Sequence, residues 1–377
     1  MATQRILDFI NTRRPNGPCM VLDLEVVREN FHNFEMALPD SKIFYAVKAN
    51  PAPEILRLLA SLGSNFDTAS VAEVEMALDA GASADRISFG NTIKKERDIA
   101  RAFELGIRLF AVDCVEEVEK VARAAPGARV FCRVLTDGAG AEWPLSRKFG
   151  CVPAMAVDVL RAAQKLGLES YGVSFHVGSQ QTDLAAWDRA LGDAKQVFDA
   201  LAKEGITLKM VNMGGGFPTR YLKDVPTAQA YGQAIFQSLS KHFGNRLPET
   251  IIEPGRGMVG NAGVIKAEVV LVSKKADNDN VRWVYLDIGK FGGLAETMDE
   301  AIRYQITTPR DGDRSEPCVL AGPTCDSADV MYEKNPYPLP ISLTIGDEVL
   351  IEGTGAYTTT YSAVAFNGFE PLRSYVI

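Results

Sequence analysis

The chain has 377 residues, 46% of them hydrophobic and 23% charged, the proportions of a soluble globular protein long enough for two domains with sizeable cores. With 40 basic residues against 48 acidic ones the net charge is -8, which argues against a nucleic-acid surface and leaves a mild attraction for cations. No apolar run reaches membrane-spanning length, and no apolar segment of a secretory signal follows Met1-Ala2-Thr3-Gln4-Arg5.

Short apolar runs alternate with helical stretches from about residue 40 to 255. The strands centre on Ile43, Phe66, Ile87, Phe110, Phe131, Val173, Val211 and Ile252. Between them the spacing predicts helices over Pro53–Leu62, Ser70–Ala80, Lys94–Leu105, Val115–Ala125, Met155–Leu166 and Leu184–Ala202. Ser70-Val71-Ala72-Glu73 fits a capping box. Eight strand–helix units in series indicate an α/β fold built on a parallel (β/α)₈ barrel. No GxGxxG follows the first strand, which disfavours an open dinucleotide-binding sheet. Beyond residue 260 the texture becomes β. Strands are expected over Val264–Val272, Val281–Leu286, Pro317–Leu320 and Asp347–Glu352, with a turn at Asn278-Asp279-Asn280. The early run Cys19-Met20-Val21-Leu22 is expected in the same sheet. The expected division is a barrel over 26–260 and a mostly β domain made of 1–25 and 261–377.

In such a barrel, chemistry sits at the carboxyl ends of the strands. Lys48 ends the first run, Asp67 the second and His176 the sixth; Gly214-Gly215-Gly216 follows the seventh and Glu253-Pro254-Gly255-Arg256 the eighth. Alone, Lys48 reads either as a solvated lysine leaving the core or as a partly desolvated amine able to form a Schiff base. The coincidence at five strand ends favours the second. Glycines 214–216 let backbone N–H groups approach an anion, Arg256 adds a fork of donors, and Ser179 a hydroxyl. A phosphate beside such a lysine suggests pyridoxal 5'-phosphate. Glu253 is suited to hold a proton on its ring nitrogen, and His176 to stack on the ring. In the second domain, Gly322-Pro323 presents Cys325 and Asp326 together. The default is a structural cysteine beside a solvated aspartate. Near a cofactor the thiol can return a proton to a carbanion and the carboxylate can hold an ammonium group. Tyr357 offers a phenol to a phosphate or is a partly buried surface residue.

The six cysteines show no CxxC spacing, so a reduced, cytoplasmic protein is expected. His32, His176 and His242 show no ligand spacing, and no metal site is expected.

From about residue 18 to 370 the sequence resembles the ornithine decarboxylase family, the fold-type III decarboxylases dependent on pyridoxal phosphate. The resemblance is carried by FYAVKAN (44–50), FDTAS (66–70), KFG (148–150), VSFHVGS (173–179), GGGFP (214–218), EPGRGMV (253–259), GPTCDSAD (322–329), GAYT (355–358) and FNGF (366–369). It implies a Schiff base at Lys48, with Asp67 nearby, His176 on the pyridine and Glu253 at the ring nitrogen. It places Ser179, Gly216, Gly255, Arg256 and Tyr357 around the phosphate, and Gly215 belongs to the same glycine run. Cys325 is the implied proton donor and Asp326 the implied binder of a distal ammonium. The family forms obligate homodimers with shared sites, so Cys325 and Asp326 are expected to serve the partner's lysine.

The resemblance has departures. Pro144 stands where eukaryotic members carry an Arg before Leu-Ser. A Tyr-Asp pair of those enzymes falls near Asp299 and Glu300, with Glu296 also available, in a segment that sets how long a diamine tail fits. Ornithine, with lysine accepted alongside, is the expected substrate, and a bacterial-type enzyme of putrescine and polyamine formation the expected identity. Diaminopimelate decarboxylases carry Cys-Glu-Ser where this chain has Cys325-Asp326-Ser327. Alanine racemases place an Arg where Glu253 stands. A catalytically dead regulator of the antizyme-inhibitor kind is disfavoured by retention of Lys48, Glu253 and Cys325.

Overall fold

The computed structural model describes residues 2–143 and 147–377. Pro144, the departure in the covering loop, lies outside the described residues. The chain divides into two compact units. One comprises Arg28–Pro218 and Val225–Met258; the other comprises the residues up to Val27, Thr219–Asp224 and Val259–Ile377.

The first unit is a closed barrel of eight parallel strands. They are β1 (Ser41–Ala46), β2 (Asn65–Thr68), β3 (Ile87–Phe89), β4 (Leu109–Val112), β5 (Arg129–Arg133), β6 (Glu169–Ser174), β7 (Met210–Asn212) and β8 (Glu249–Ile252). Each expected strand centre falls within one of them. The interior is filled by Phe44, Leu109, Ala111, Phe131, Tyr171, Met210 and Ile251, all buried. Large apolar groups filling a barrel leave no pore, so chemistry is confined to the ends. Between β6 and β7 the tight spot is Gly172, where a Cβ would lie 2.2 Å from the carbonyl oxygen of Met210.

Helices return the chain to each next strand. Pro53–Ser61 begins with proline at its first turn, where no N–H is needed. Val71–Asp79 is capped by the Ser70 hydroxyl, which accepts the Glu73 N–H, while the Glu73 carboxylate accepts the Ala69 N–H at 2.7 Å. This is the Ser70–Glu73 reciprocal capping expected from the sequence, with the return bond made to the residue before the cap. The helix expected from Lys94 begins instead at Glu96. The Lys94 ammonium turns inward to pair with the buried Glu117 at 2.9 Å, and this takes its residue out of the helical run. Leu24–Ala37 and Ala228–Phe243 are helices beyond those read from the sequence.

The second unit is a nine-stranded sheet. Gly263–Ser273 pairs antiparallel with Arg282–Leu286 across the expected turn, and with Cys19–Leu22, so the early run joins this sheet. Arg373–Val376 lies parallel to Cys19–Leu22. The helix Gln4–Arg13 covers it, burying Ile6 and Ile10 on Cys19, Val21 and Val264.

Candidate active site

In the barrel unit the strand ends bring most of the expected residues together. Lys48 sits in a one-turn 3-10 helix, Val47–Ala49, directly after β1. Its Nζ is 3.2 Å from Oδ2 of Asp67, which is buried on β2. The Ser88 hydroxyl on β3 donates to the other Asp67 oxygen at 3.3 Å. Gly90 leaves room for this carboxylate, since a Cβ there would lie 1.8 Å from Asp67 Oδ1. The lysine is half-exposed and reachable, whereas its partner is fixed.

Glu253 directly follows β8. Its Oε1 accepts a hydrogen bond from Asn212 Nδ2 at the end of β7, and its N–H donates to the Gly214 carbonyl at 2.8 Å. Burial pushes the Glu253 carboxyl up to about 7, with the Asp67 charge adding to it; Lys48, the Asn212 bond and Arg133 oppose the rise. His176 is the converse. Burial, then the charges of Arg133 and Lys48, lower its pKa to about 3, so the imidazole is neutral. Its Nδ1 accepts the Gly178 N–H at 3.0 Å, which leaves the ring proton on Nε2. The Thr136 hydroxyl holds the His176 carbonyl at 2.6 Å.

Beside them is an anion cradle. Arg256 is buried at the start of a short helix, and its Nε and Nη2 donate to the Ser179 hydroxyl at 3.3 and 3.1 Å. Gly216 has φ +104, and a Cβ would lie 2.6 Å from the Gly178 carbonyl. At Gly215 a Cβ would lie 2.7 Å from the Glu253 carbonyl and 3.3 Å from His176 Nε2. Only glycine keeps this floor open. Gly255 is buried between Glu253 and Arg256. Asn212, Arg133, Ser88 and Thr136 were not singled out from sequence. The available signal was a polar residue near the last position of an apolar strand.

The second unit holds the remaining candidates. Cys325 is exposed, with its N–H donating to Asn367 Oδ1 at 3.0 Å. Asp326 accepts the Ala328 N–H at 2.8 Å. The loop is pinned by buried Asp329, which accepts from the Thr324 N–H, the Thr324 hydroxyl and the Lys290 N–H at 3.2, 2.7 and 2.8 Å. Tyr357 is half-buried in a left-handed conformation at φ 55, its ring 6.0 Å from that of Tyr361. Of the three acids over 296–300, Glu296 is buried. Asp299 is exposed and lies 3.3 Å from Lys334 Nζ. Glu300 already accepts from Arg303 and the Lys334 N–H at 3.0 and 2.6 Å, and from the N–H and Nδ2 of Asn335 at 3.2 and 2.9 Å. Among the described residues, no three His, Cys, Asp or Glu side chains are grouped to hold a metal ion. No helix among them is long and apolar enough to cross a membrane.

An amine for an aldehyde, an acid for a pyridine nitrogen and a donor cradle for a phosphate are the three groups that pyridoxal phosphate requires. The open glycine floor between His176 and Glu253 fits a flat ring. Fold and donor set define an enzyme of the barrel class dependent on this cofactor. The chain belongs to the pyridoxal-dependent decarboxylases: residues 24–260 match the family described as "Pyridoxal-dependent decarboxylase, pyridoxal binding domain". It is 36% identical over 359 residues to the lysine/ornithine decarboxylase of Selenomonas ruminantium, covering 95% of this chain and 88% of that protein. A lysine/ornithine decarboxylase from Vibrio vulnificus, solved with cadaverine, aligns at TM-score 0.88 and 31% identity over 100% of both chains. Antizyme inhibitor 2 of Xenopus laevis is 32% identical, covering 97% of this chain and 82% of that protein.

Proposed function

We propose that the chain decarboxylates L-ornithine to putrescine and accepts L-lysine, giving cadaverine, alongside it. The observation that carries this reading is the pairing of Lys48 with Asp67 at a rim that also holds Glu253 and the Ser179–Arg256 cradle. Its support on the substrate side is the naming of the Selenomonas and Vibrio relatives for lysine and ornithine.

When bound, pyridoxal phosphate supplies an electron sink for the pair left on the substrate Cα as the carboxylate departs. Lys48 Nζ would hold its aldehyde carbon, and Asp67 keeps that amine oriented. Glu253 would hold the proton on the ring nitrogen; a cation brought against this carboxyl lowers its pKa and keeps it ionised. Neutral His176 offers a ring face without adding positive charge. Ser179, the N–H groups around Gly215, Gly216 and Gly255, and Arg256 would bind the phosphate, joined by the Tyr357 phenol. Cys325 Sγ returns a proton to Cα. Asp326 takes the substrate's distal ammonium, with Asp299, Glu300 and Glu296 the acids available to define tail length. A neutral analogue would leave that carboxylate unpaired and bind poorly.

The working unit in this reading is a homodimer, with Cys325 and Asp326 acting on the substrate held at the partner subunit's Lys48. The exposed apolar side chains Met298, Tyr361, Val364, Phe366 and Phe369 in the second unit support a covered face there.

Incubation with equimolar ornithine, lysine, arginine and diaminopimelate, followed by amine analysis, tests the assignment. Putrescine is the expected main product, with cadaverine second; turnover of diaminopimelate alone would overturn the reading of Asp326. The relation to antizyme inhibitor 2 sustains a second reading, a non-catalytic regulator. Purified regulator would show neither a visible cofactor absorption band nor CO₂ release, and the catalytic reading predicts both.

A further inference from the structure

Gln181 is fully buried two residues along the chain from Ser179, whose hydroxyl is part of the anion cradle. All its polar atoms are committed. Its backbone N–H donates to the Gly216 carbonyl at 2.9 Å, and its own carbonyl accepts the Tyr231 hydroxyl at 2.7 Å. Its side-chain oxygen accepts the Asp183 N–H at 2.9 Å. A backbone N–H can only donate, so this bond fixes the amide orientation and turns Nε2 toward two carbonyls. Nε2 donates to Val177 at 2.8 Å and to Ala139 at 2.9 Å.

Three of these partners, Gly216, Val177 and Ala139, lie on separate pieces of chain around the cradle. Gly216 belongs to the glycine floor. Val177 follows His176 and leads to Ser179. Ala139 lies in the segment after β5 whose strand Ala141–Trp143 pairs antiparallel with Ser179–Gln181, Trp143 opposite Ser179 and Ala141 opposite Gln181. The close fit continues at Gly140, with φ +89, where a Cβ would lie 2.6 Å from Gln181 Oε1. One buried residue thus joins the three, its backbone N–H holding the glycine floor and its side-chain amide holding the segment 139–143 against the strand that carries the anion-binding hydroxyl.

We propose that Gln181 is a positioning residue for the phosphate-binding cradle, holding Ser179 and Gly216 at the separation a phosphate monoester requires by tying both to Ala139. This rests on the assignment of the cradle to the cofactor's phosphate. Removing the side-chain amide leaves the Val177 carbonyl without a partner in a buried place and releases the Ala139 carbonyl and the Asp183 N–H, so the segment 139–143 is no longer tied to the strand carrying Ser179, while the backbone bond to Gly216 remains. The loss falls on recognition of the phosphate rather than on the ring.

The test compares pyridoxal phosphate with pyridoxal, which lacks the phosphate, by equilibrium titration of the full chain freed of cofactor. Wild type is expected to bind the phosphorylated form far more tightly. Gln181→Leu is expected to reduce that preference about tenfold while leaving pyridoxal binding unchanged. Hydrogen–deuterium exchange with saturating inorganic phosphate supplies a second readout: protection spans both 214–216 and 139–143 in wild type, and only 214–216 in the variant. Full preference and full protection retained in Gln181→Leu would overturn the role of Gln181 and leave the cradle assignment standing. A wild type with no preference for the phosphorylated form would overturn both. If Gln181→Leu does not fold, Gly140→Ala displaces the same amide from the opposite side and carries the same expected and overturning outcomes.

Discussion

Asn212 ends one barrel strand and Glu253, 41 residues on, directly follows the adjacent one, and the Asn212 amide donates from Nδ2 to Glu253 Oε1. The amide cannot be turned round, because its Oδ1 already accepts the Gly214 N–H at 2.9 Å. Glu253 therefore meets a donor on one oxygen, and that donor favours the ionised carboxyl against the burial that disfavours it. Asn212→Leu removes the donor at similar size. The Glu253 carboxyl is expected to titrate higher by about one pKa unit, read directly by carbon NMR of labelled glutamate in the cofactor-free chain. An unchanged titration would remove Asn212 from this role.

The same group sets a pH dependence for cofactor binding. In the cofactor-free chain Glu253 is pushed up to about 7 by burial, so it is ionised above that pH and neutral below it. His176, lowered to about 3, does not change charge near neutrality. A protonated pyridine nitrogen needs a carboxylate opposite, so affinity for pyridoxal phosphate should fall as pH drops through about 7. Glu253→Gln should flatten that limb and weaken binding at every pH; titrations from mildly acidic to mildly alkaline buffer measure both.

Stability carries a separate pH signature. Lys94 is fully enclosed, 2.9 Å from Glu117 Oε1, and also donates to the carbonyls of Ala111 and Asn91 at 2.6 and 2.8 Å. Burial lowers its pKa from 10.5 to about 8 despite the Glu117 charge, which opposes the shift. Between these two values the unfolded chain binds the proton that the folded chain has released. This lysine therefore makes stability rise with pH across that window and adds no slope below about 8. Lys94→Met should abolish that slope. It should also cost about 3 kcal/mol at neutral pH, because Glu117 loses one of its two buried-side partners, Lys120 remaining. Denaturant unfolding of both proteins at several pH values gives the comparison.

The barrel was legible because parallel strands buried on both faces write themselves as apolar runs, and because a barrel gathers chemistry at one end of them. Lys48, Asp67, His176 and Glu253 interrupt or end such runs, and the glycine triplet stands where side chains would fill the floor. Asn212, Arg133 and Gln181 were hidden for the opposite reason. Each is an ordinary polar residue whose importance comes from partners brought in by closure of the barrel: Asn212 meets Glu253, and Gln181 meets Ala139 and Gly216. Sequence spacing places Lys94 at the start of a helix. The buried carboxylate of Glu117, on the next helix, wins its ammonium instead. Glu300 reads from sequence as a free acid, yet four donors from Arg303, Lys334 and Asn335 converge on it.

The Cys325 loop separates chemistry from architecture. The loop is held by Asp329, whose carboxylate accepts three donors and fills the space left by two glycines; a Cβ at Gly289 or Gly322 would lie 2.1 or 2.2 Å from it. The exposed Cys325 side chain has no part in that arrangement, which uses only its neighbours' groups and its own backbone N–H. Cys325→Ala should therefore leave unfolding free energy within about 0.5 kcal/mol of wild type. If Cys325 is the proton donor, the same change should slow formation of the amine product about 100-fold. Asp329→Ala should do the reverse in order of cause: it orphans buried N–H groups, lowers stability by about 3 kcal/mol, and reduces turnover only through the displaced loop. Unfolding curves and amine product rates for the two variants distinguish a reacting thiol from a loop that merely needs its shape. Correct amine product at an unchanged rate from Cys325→Ala would take the thiol out of the reaction.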